Sequence, residues 1–337
     1  MALMDVTGKR VALALGGGGA RGAAHIGVIE ELERRGASIV AIAGTSMGAV
    51  IGGVYAVGRL PEYAAWLAAL TQRDVLRLLD PSLRSPGMIG AEKVMAKIRE
   101  VIGDVRIEQL PIPYTAVATD LVAGKELWFQ EGPLDIAMRA SIAIPSVITP
   151  LVHEGRVLAD GGMLNLVPVT PLAGVRADVI VAVSVGGAPQ GAPVIPAKSA
   201  ADMELERVQT AATHARDLDM LSRIRARLGW ERSEASEAAD RARVQAEKAI
   251  NVRTLDIMEL SLQAMQRMIT RYQLASYPAD IFIEMPVDMC GTMEFHRSKA
   301  MIEVGRDYAR AAFDGYAAPS RALTSEPTYP QPPMFQI

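Results

Sequence analysis

The sequence lacks several features that would assign it to common classes of protein. Its 337 residues include a single cysteine, Cys290, so a disulfide within the chain is excluded. The formal net charge is only -3, which provides no broad basic surface for nucleic acid. None of the four histidines lies beside a turn signature that would mark it as the base of a catalytic triad: His25, His153, His214 and His296.

One stretch, residues 36–58, lacks charged side chains and is long enough to span a bilayer. Interior glycines and a central G-T-S turn divide it at the spacing of a strand followed by a helix. We therefore expect a buried strand, a tight turn and a core helix there. The first ten residues carry their basic side chains late and lead into an apolar run of only a strand's length, unlike a secretory signal. We expect a cytoplasmic protein.

The most informative motif is the pentapeptide G-T-S-M-G at residues 44–48, which has the form G-x-S-x-G. The apolar run 38–43 before it has the length of a buried strand, and the run 49–57 after it is typical of a core helix. A serine at such a sharp strand-to-helix turn has its hydroxyl directed out of the sheet toward a substrate. Ser46 is therefore the candidate nucleophile.

A glycine-rich loop is the second motif. The strand-like run 11–15 leads into G-G-G-G-A-R-G at residues 16–22, and a helical pattern follows over 23–35 with Gly36 as its C-cap. Such a loop directs several backbone amides at one point, which suits any anion. A dinucleotide site, a P-loop and an oxyanion hole are therefore the three alternatives.

The sequence lacks residues that two of these three kinds of site require. A dinucleotide site needs an acidic residue about 20 positions on, at the end of the second strand, where this chain has Thr45 and Ser46. A P-loop needs Lys and then Ser or Thr after the last glycine, where the chain has Ala23 and Ala24. An oxyanion hole explains both motifs, because parallel strands that end side by side bring their loops to one edge of the sheet.

A carboxylate can replace histidine as the base, and one follows a third strand-like run. Residues 157–159 are apolar, and Asp160 comes next, followed by two glycines. An aspartate there would be partly desolvated, which raises its pKa and so its basicity. Taken alone, Asp followed by Gly is also typical of an ordinary turn.

Together and in this order, the glycine loop, the G-T-S-M-G pentapeptide and D-G-G at residues 160–162 resemble the patatin-like phospholipase family, especially its bacterial cytosolic branch. Residues 116–121 and 140–145 are also similar to that family, and the likeness covers roughly residues 9–185. Three ordered motifs are far more specific than any one of them.

The resemblance implies a Ser-Asp dyad that works without histidine, with Ser46 as the nucleophile and Asp160 as the base. It implies an oxyanion hole at three loop residues: Gly17, Gly18 and Gly19. Further residues support these motifs: Arg21, Gly22, Gly44, Met47, Gly48, Gly161 and Gly162. Arg21 either reaches a lipid phosphate or stabilises the loop. Gly162 stands where many family members have alanine.

The remaining chain alternates strand and helix patterns, which predicts an α/β fold with a mainly parallel central sheet flanked by helices. The resemblance implies the patatin or lysophospholipase-like three-layer form of that fold. We expect a catalytic core over 7–190, a charged helical insertion over 191–248, and helices with a last strand over 249–316 that complete the core. A proline-rich tail is expected over 317–337. The insertion is a mobile lid over the acyl site, a surface that meets membranes, or a solvated or partly disordered helix.

Two predicted helical regions each have an apolar face that either packs into the core or contacts an acyl chain. Around Trp66, the face within residues 61–79 is predicted to pack into the core, the alternative being a wall of an acyl pocket. Residues 249–275 carry Met258, Met265 and Met268 on one side, and core packing is favoured there over contact with an acyl chain.

The predicted function is the hydrolysis of lipid esters, most simply phospholipid or lysophospholipid, by a serine acyl hydrolase that needs no cofactor or metal. A lipid substrate and peripheral contact with a membrane are the expected partners, with no nucleic acid. An acyltransferase or thioesterase with the same dyad remains open, as does a regulatory lipid-binding module with a vestigial dyad. A nucleotide-binding protein fits least.

Overall fold

A computed structural model of the chain describes residues 6–78, 91–145, 147–189 and 254–315, of which 254–260 are described by their backbone alone. Residues 1–190 and 262–337 form one compact unit, and residues 191–261 form a second. The predicted insertion at 191–248, with His214, and the predicted tail at 317–337 lie outside the described residues. These predictions therefore stay predictions.

One mixed sheet of eight strands forms the centre of the first unit. The strands are β1 (Arg10–Leu15), β2 (Ser38–Thr45), β3 (Tyr114–Asp120), β4 (Lys125–Phe129), β5 (Leu151–His153), β6 (Arg156–Asp160), β7 (Val179–Gly187) and β8 (Ile281–Pro286). Hydrogen-bonded pairs link them in the sequence β5-β6-β3-β2-β1-β7-β8, and β4 pairs with the edge of β3 opposite to the one that β6 and β2 share. β1, β2, β3, β7 and β8 pair in parallel, whereas β4, β5 and β6 make antiparallel pairs. The predicted mainly parallel sheet is confirmed, with an antiparallel extension.

The helices of the described residues flank this sheet. They are α1 (Ala24–Arg34), α2 (Met47–Ala56), α3 (Leu60–Ala69), α4 (Gln72–Leu78), α5 (Glu92–Ile102), α6 (Leu134–Ser141), α7 (Thr254–Ser276) and α8 (Ser298–Phe313). None of these helices is both long and apolar enough to cross a membrane. The charge-free stretch 36–58 is instead β2 followed by α2, as the glycine spacing predicts.

The core lies on both faces of the sheet, because side chains along a strand alternate between the faces. In β1, Val11, Leu13 and Leu15 belong to the larger apolar cluster, which also contains residues of α1, α2, α6 and α8. Ala12 and Ala14 point to the opposite face, where a smaller cluster covers the sheet with residues from the 166–175 segment. The small alanines allow that layer to approach the sheet closely.

The C-terminal ends of β2 and β6 meet along one edge of β3. Residues Ala116 to Asp120 of β3 pair with β4 on one edge. On the other edge, Val117 pairs with Thr45 of β2, and the next residue, Ala118, pairs with Asp160 of β6. Because β2 runs parallel to β3 and β6 runs antiparallel to it, the two strands arrive from opposite directions and end head to head.

The structure corrects two predictions about apolar faces. Met265 is 56% exposed and Met268 is 47% exposed, so the predicted core packing of these methionines is wrong, and the Met258 side chain lies outside the described residues. The described part of the region 61–79 is helical as predicted and consists of α3 and α4. Its apolar face packs into the core only in part, because Leu67 is buried whereas Leu76 is 65% exposed.

Candidate active site

Ser46 occupies the turn between β2 and α2 and is only 4% exposed. Its backbone has φ 54° and ψ -125°, a left-handed conformation that a residue with a Cβ adopts only under strain. Gly44 and Gly48 make this turn sterically feasible, because a Cβ on Gly48 would collide with the carbonyl oxygen of Leu15. The Ser46 side chain makes no capping bond to α2. The hydroxyl therefore remains available for another partner.

That partner is Asp160, the last residue of β6. The Asp160 carboxyl group, itself only 6% exposed, lies near enough to the Ser46 side chain for hydrogen bonding between them to lower the pKa of Asp160. The amide of Gly162 donates to Asp160 Oδ1 at 2.7 Å. Burial raises the pKa of Asp160 to about 6, although the hydrogen bonds from Ser46 and Gly162 act in the opposite direction. The carboxyl is thus a stronger base than an exposed aspartate and is still ionised at neutral pH.

Two threonine side chains hydrogen-bond the backbone at and after Asp160. Thr45 Oγ1 donates to the carbonyl of Asn165 at 2.8 Å, which joins the end of β2 to the chain that follows Asp160. Thr119 Oγ1 donates to the carbonyl of Asp160 at 3.0 Å. Both threonines are buried, so these bonds are shielded from competing water.

The glycine loop runs directly beside Ser46. A Cβ added to Gly17 would lie 3.2 Å from Ser46 Cβ, so a side chain here would press against Ser46. The Gly17 amide donates to the carbonyl of Leu166 at 3.0 Å. Of the three predicted oxyanion donors, Gly17 therefore has its only N–H already bonded. The amides of Gly18 and Gly19 meet no acceptor among the described residues.

The buried side chain of His25 hydrogen-bonds the backbone at the start of the glycine loop. Its Nε2 lies 2.7 Å from the carbonyl oxygen of Gly16, and burial lowers the pKa of His25 to about 4, with the hydrogen bond to Gly16 opposing that shift. The imidazole is therefore neutral at pH 7, and Nε2 carries the proton because the carbonyl can only accept. In the described part of the chain, neither His25 nor His153 nor His296 is a partner of Ser46 or Asp160.

Arg21 is held inside the protein rather than turned to solvent. It is 7% exposed, and its Nη1 donates to the carbonyl of Cys290 at 2.9 Å and to that of Val287 at 3.3 Å. These bonds connect the loop to the segment after β8. Of the two alternatives predicted for Arg21, its contacts favour stabilisation of the loop.

The other motif glycines serve close packing. A Cβ on Gly22 would meet the side chain of Met47, and one on Gly44 would meet the backbone of α2. A Cβ on Gly161 would collide with the carbonyl oxygen of Val117. The motifs are therefore packed against one another, which explains their small residues. In the described ranges, His, Cys, Asp and Glu side chains form no cluster of three or more that could hold a metal ion.

Two surface depressions of the described residues are lined by neither Ser46 nor Asp160. One of them, about 320 Å³ in volume, is lined by residues of α3 and α4, including Trp66, Leu70 and Leu78. The pocket-wall interpretation of that region stays a prediction, because no described contact connects this depression to Ser46.

Sequence reasoning missed Ser141, the last residue of α6. The amide of Ser46 donates to Ser141 Oγ at 2.8 Å, and this hydroxyl donates to the carbonyl of Val117 at 2.6 Å. Ser141 is fully buried. The available signal was the segment 140–145, which the resemblance marked without assigning it a role.

Comparison with known proteins agrees with the order of these motifs. The profile of the Patatin-like phospholipase family matches residues 13–173. A protein of Mycobacterium tuberculosis (strain H37Rv), named as a member of the NTE family, is 46% identical over 336 residues, covering 91% of this chain and 92% of that protein. The human Patatin-like phospholipase domain-containing protein 6 is 29% identical over 93% of this chain but only 21% of its own length.

Among solved structures, the crystal structure of VipD from Legionella pneumophila superposes with a TM-score of 0.43 at 14% identity, over 91% of this chain and 67% of that one. The family assignment rests on sequence instead. The profile match spans the glycine loop, the serine turn and D-G-G, and the mycobacterial relative aligns with nearly the whole chain. The chain belongs to the patatin-like phospholipase family.

Proposed function

We propose that this protein hydrolyses carboxylic ester bonds of lipids, with Ser46 as the nucleophile and Asp160 as its base. The observation that carries the proposal is the proximity of two buried side chains at adjoining strand ends, one of them on a strained turn and near enough to the other to act on its pKa. Strain retained at a buried position is typical of a functional site. Family membership supports a lipid ester as the substrate.

In the first half of the reaction, Asp160 accepts the proton of the Ser46 hydroxyl while Oγ attacks the ester carbonyl carbon. The resulting oxyanion receives hydrogen bonds from the loop, and Gly18 and Gly19 have the amides to supply them. Asp160 then returns its proton to the departing alcohol oxygen as the ester bond breaks. The acyl group remains bound to Ser46.

In the second half, water replaces the alcohol. Asp160 accepts a proton from that water, its oxygen attacks the acyl carbon, and the same amides stabilise the second oxyanion. The proton returns to Ser46 Oγ when the fatty acid leaves. The pKa of about 6 for Asp160 suits both directions, because the group is ionised at pH 7 yet basic enough to share a proton.

Phospholipid or lysophospholipid is the substrate class that we propose, in keeping with the phospholipase family. Because such lipids reside in membranes, the proposal includes transient contact with a membrane surface. An acyltransferase or thioesterase would use the same acyl-enzyme. An acyltransferase would differ in the acceptor of the second half, and a thioesterase in the leaving group of the first half, a thiol in place of an alcohol.

The test is mass spectrometry of products from a mixed lipid extract, with wild type, Ser46→Ala and Asp160→Asn side by side. We expect free fatty acid and the deacylated lipid from wild type alone, and fluorophosphonate labelling that is abolished in Ser46→Ala. Ser298→Ala is a matched control, because it also removes a buried serine hydroxyl, one at the start of α8 that donates to the backbone carbonyl of Phe295. Identical product profiles for wild type and Ser46→Ala would refute hydrolysis at this site.

A further inference from the structure

Ser141 inserts its hydroxyl between the two strands that form the serine turn. On β2 and β3, Thr45 and Val117 are the last residues that pair. Beyond them the Ser46 amide donates to Ser141 Oγ at 2.8 Å, and Ser141 Oγ donates to the Val117 carbonyl at 2.6 Å. The pairing of β2 with β3 is thus extended by one step through a side chain.

A hydroxyl is suited to this position because it accepts one hydrogen bond and donates another at the same time. The left-handed backbone at Ser46 takes its amide out of the regular ladder, and a buried amide without an acceptor is costly. Ser141 accepts the hydrogen bond of that amide. Through its second bond, to the Val117 carbonyl, it fixes the position of Ser46 relative to β3.

The segment 141–143, which begins with Ser141, also hydrogen-bonds the backbone of Asp160. Two residues after Ser141, the carbonyl of Ala143 accepts the amide of Asp160 at 2.9 Å. Ala143 is fully buried, as Ser141 is. Residues 141–143 therefore contact the backbone of both Ser46 and Asp160, whose side chains also lie near each other.

We propose that Ser141 is a positioning residue for the Ser46–Asp160 pair, acting through the Ser46 amide and not by contact with substrate. This inference rests on the proposed function, because it assigns Ser141 a role in the reactivity of that pair. It also accounts for the Ser46 amide itself, which is bonded to Ser141 and is therefore not a donor to the oxyanion.

The test compares Ser141→Ala, which removes the hydroxyl, with Ser141→Thr, which keeps it. We expect Ser141→Ala to lower kcat and the rate of fluorophosphonate labelling by about 10- to 100-fold with little change in KM, because a displacement of about 1 Å has a cost of that order. Ser141→Thr should recover most of the rate. Ser298→Ala, the matched loss of a buried hydroxyl, should keep wild-type kcat.

Thermal melts separate a positioning role from a purely structural one. If Ser141→Ala keeps the wild-type kcat and labelling rate and loses only melting temperature, the positioning role is refuted. Should Ser141→Ala fail to fold, Ser141→Cys replaces the hydroxyl with a weaker donor and acceptor of similar shape, and a wild-type kcat there would equally refute it. If Ser46→Ala is as active as wild type, the proposed function itself fails, which is a distinguishable result.

Discussion

Asp160→Asn should stabilise the protein at neutral pH while abolishing its activity. Burial raises the pKa of Asp160 from 3.8 to about 6, so the folded protein holds the proton of this group more tightly than the unfolded chain does. Between those two values the folded state binds more protons, and the free energy of unfolding therefore falls as pH rises. Above about pH 6 the full penalty of the buried carboxylate is present.

The size of this penalty follows from the pKa difference. A shift of about 2 units at about 1.4 kcal/mol per unit corresponds to about 3 kcal/mol at pH 7. Asparagine resembles the protonated acid, so Asp160→Asn should recover up to that amount above pH 6 and close to nothing below pH 4. A gain of about 3 kcal/mol would raise the melting temperature of a chain of this size by several degrees.

The assay is thermal unfolding of wild type and Asp160→Asn at intervals from pH 4 to pH 8, with ester hydrolysis measured on the same samples. Asp307→Asn is the control, because it removes a carboxylate whose side chain is 70% exposed. If Asp160→Asn shows no gain in stability, or a gain that does not grow with pH, then burial is not what raises the pKa of Asp160.

Three further results are expected. The kcat/KM for a short ester should rise about tenfold per pH unit up to about pH 6 and then level off as Asp160 ionises, and a flat profile would contradict its role as base. Gly18→Ala would force a Cβ into the side chain of Val185 and should lower kcat by about 100-fold, whereas Gly174→Ala, which meets open space, should leave kcat unchanged. Arg21→Met removes two hydrogen bonds to backbone carbonyls and should cost about 2 kcal/mol of stability without raising KM; a higher KM with unchanged stability would instead favour contact with a lipid phosphate.

The turn at Ser46 and the glycine loop could be predicted, because each is determined by a short run of neighbouring residues. The run 38–43 and the G-x-S-x-G pentapeptide predict a strand and a sharp turn, and the structure has β2 ending at Thr45 with Ser46 at a positive φ. The loop at 16–22 is predicted from its glycines in the same way. The first strands end side by side, as expected, because β1 and β2 pair in parallel from Arg10 to Leu15.

The parts that could not be predicted depend on pairing between distant segments. Nothing in the run 157–160 indicates that it approaches β3 from the opposite direction to β2, and strand direction is decided by connections that periodicity does not encode. The bond from Gly17 to Leu166 is of this kind, as is that from Ser46 to Ser141. The exposure of Met265 and Met268 was missed because helical periodicity shows that residues share a face but not what covers it.

Because β2 and β6 end head to head along β3, the backbone of β3 sets the distance between Ser46 and Asp160. Thr45, the residue before Ser46, pairs with Val117, and Asp160 itself pairs with Ala118, so one step along a strand, about 3.3 Å, separates the two anchor points. Substituting either side chain leaves that interval intact, whereas deleting a single residue from β3 would slip one strand end past the other. The length of β3 therefore sets the geometry of the site directly, whereas its buried side chains act on that geometry through packing.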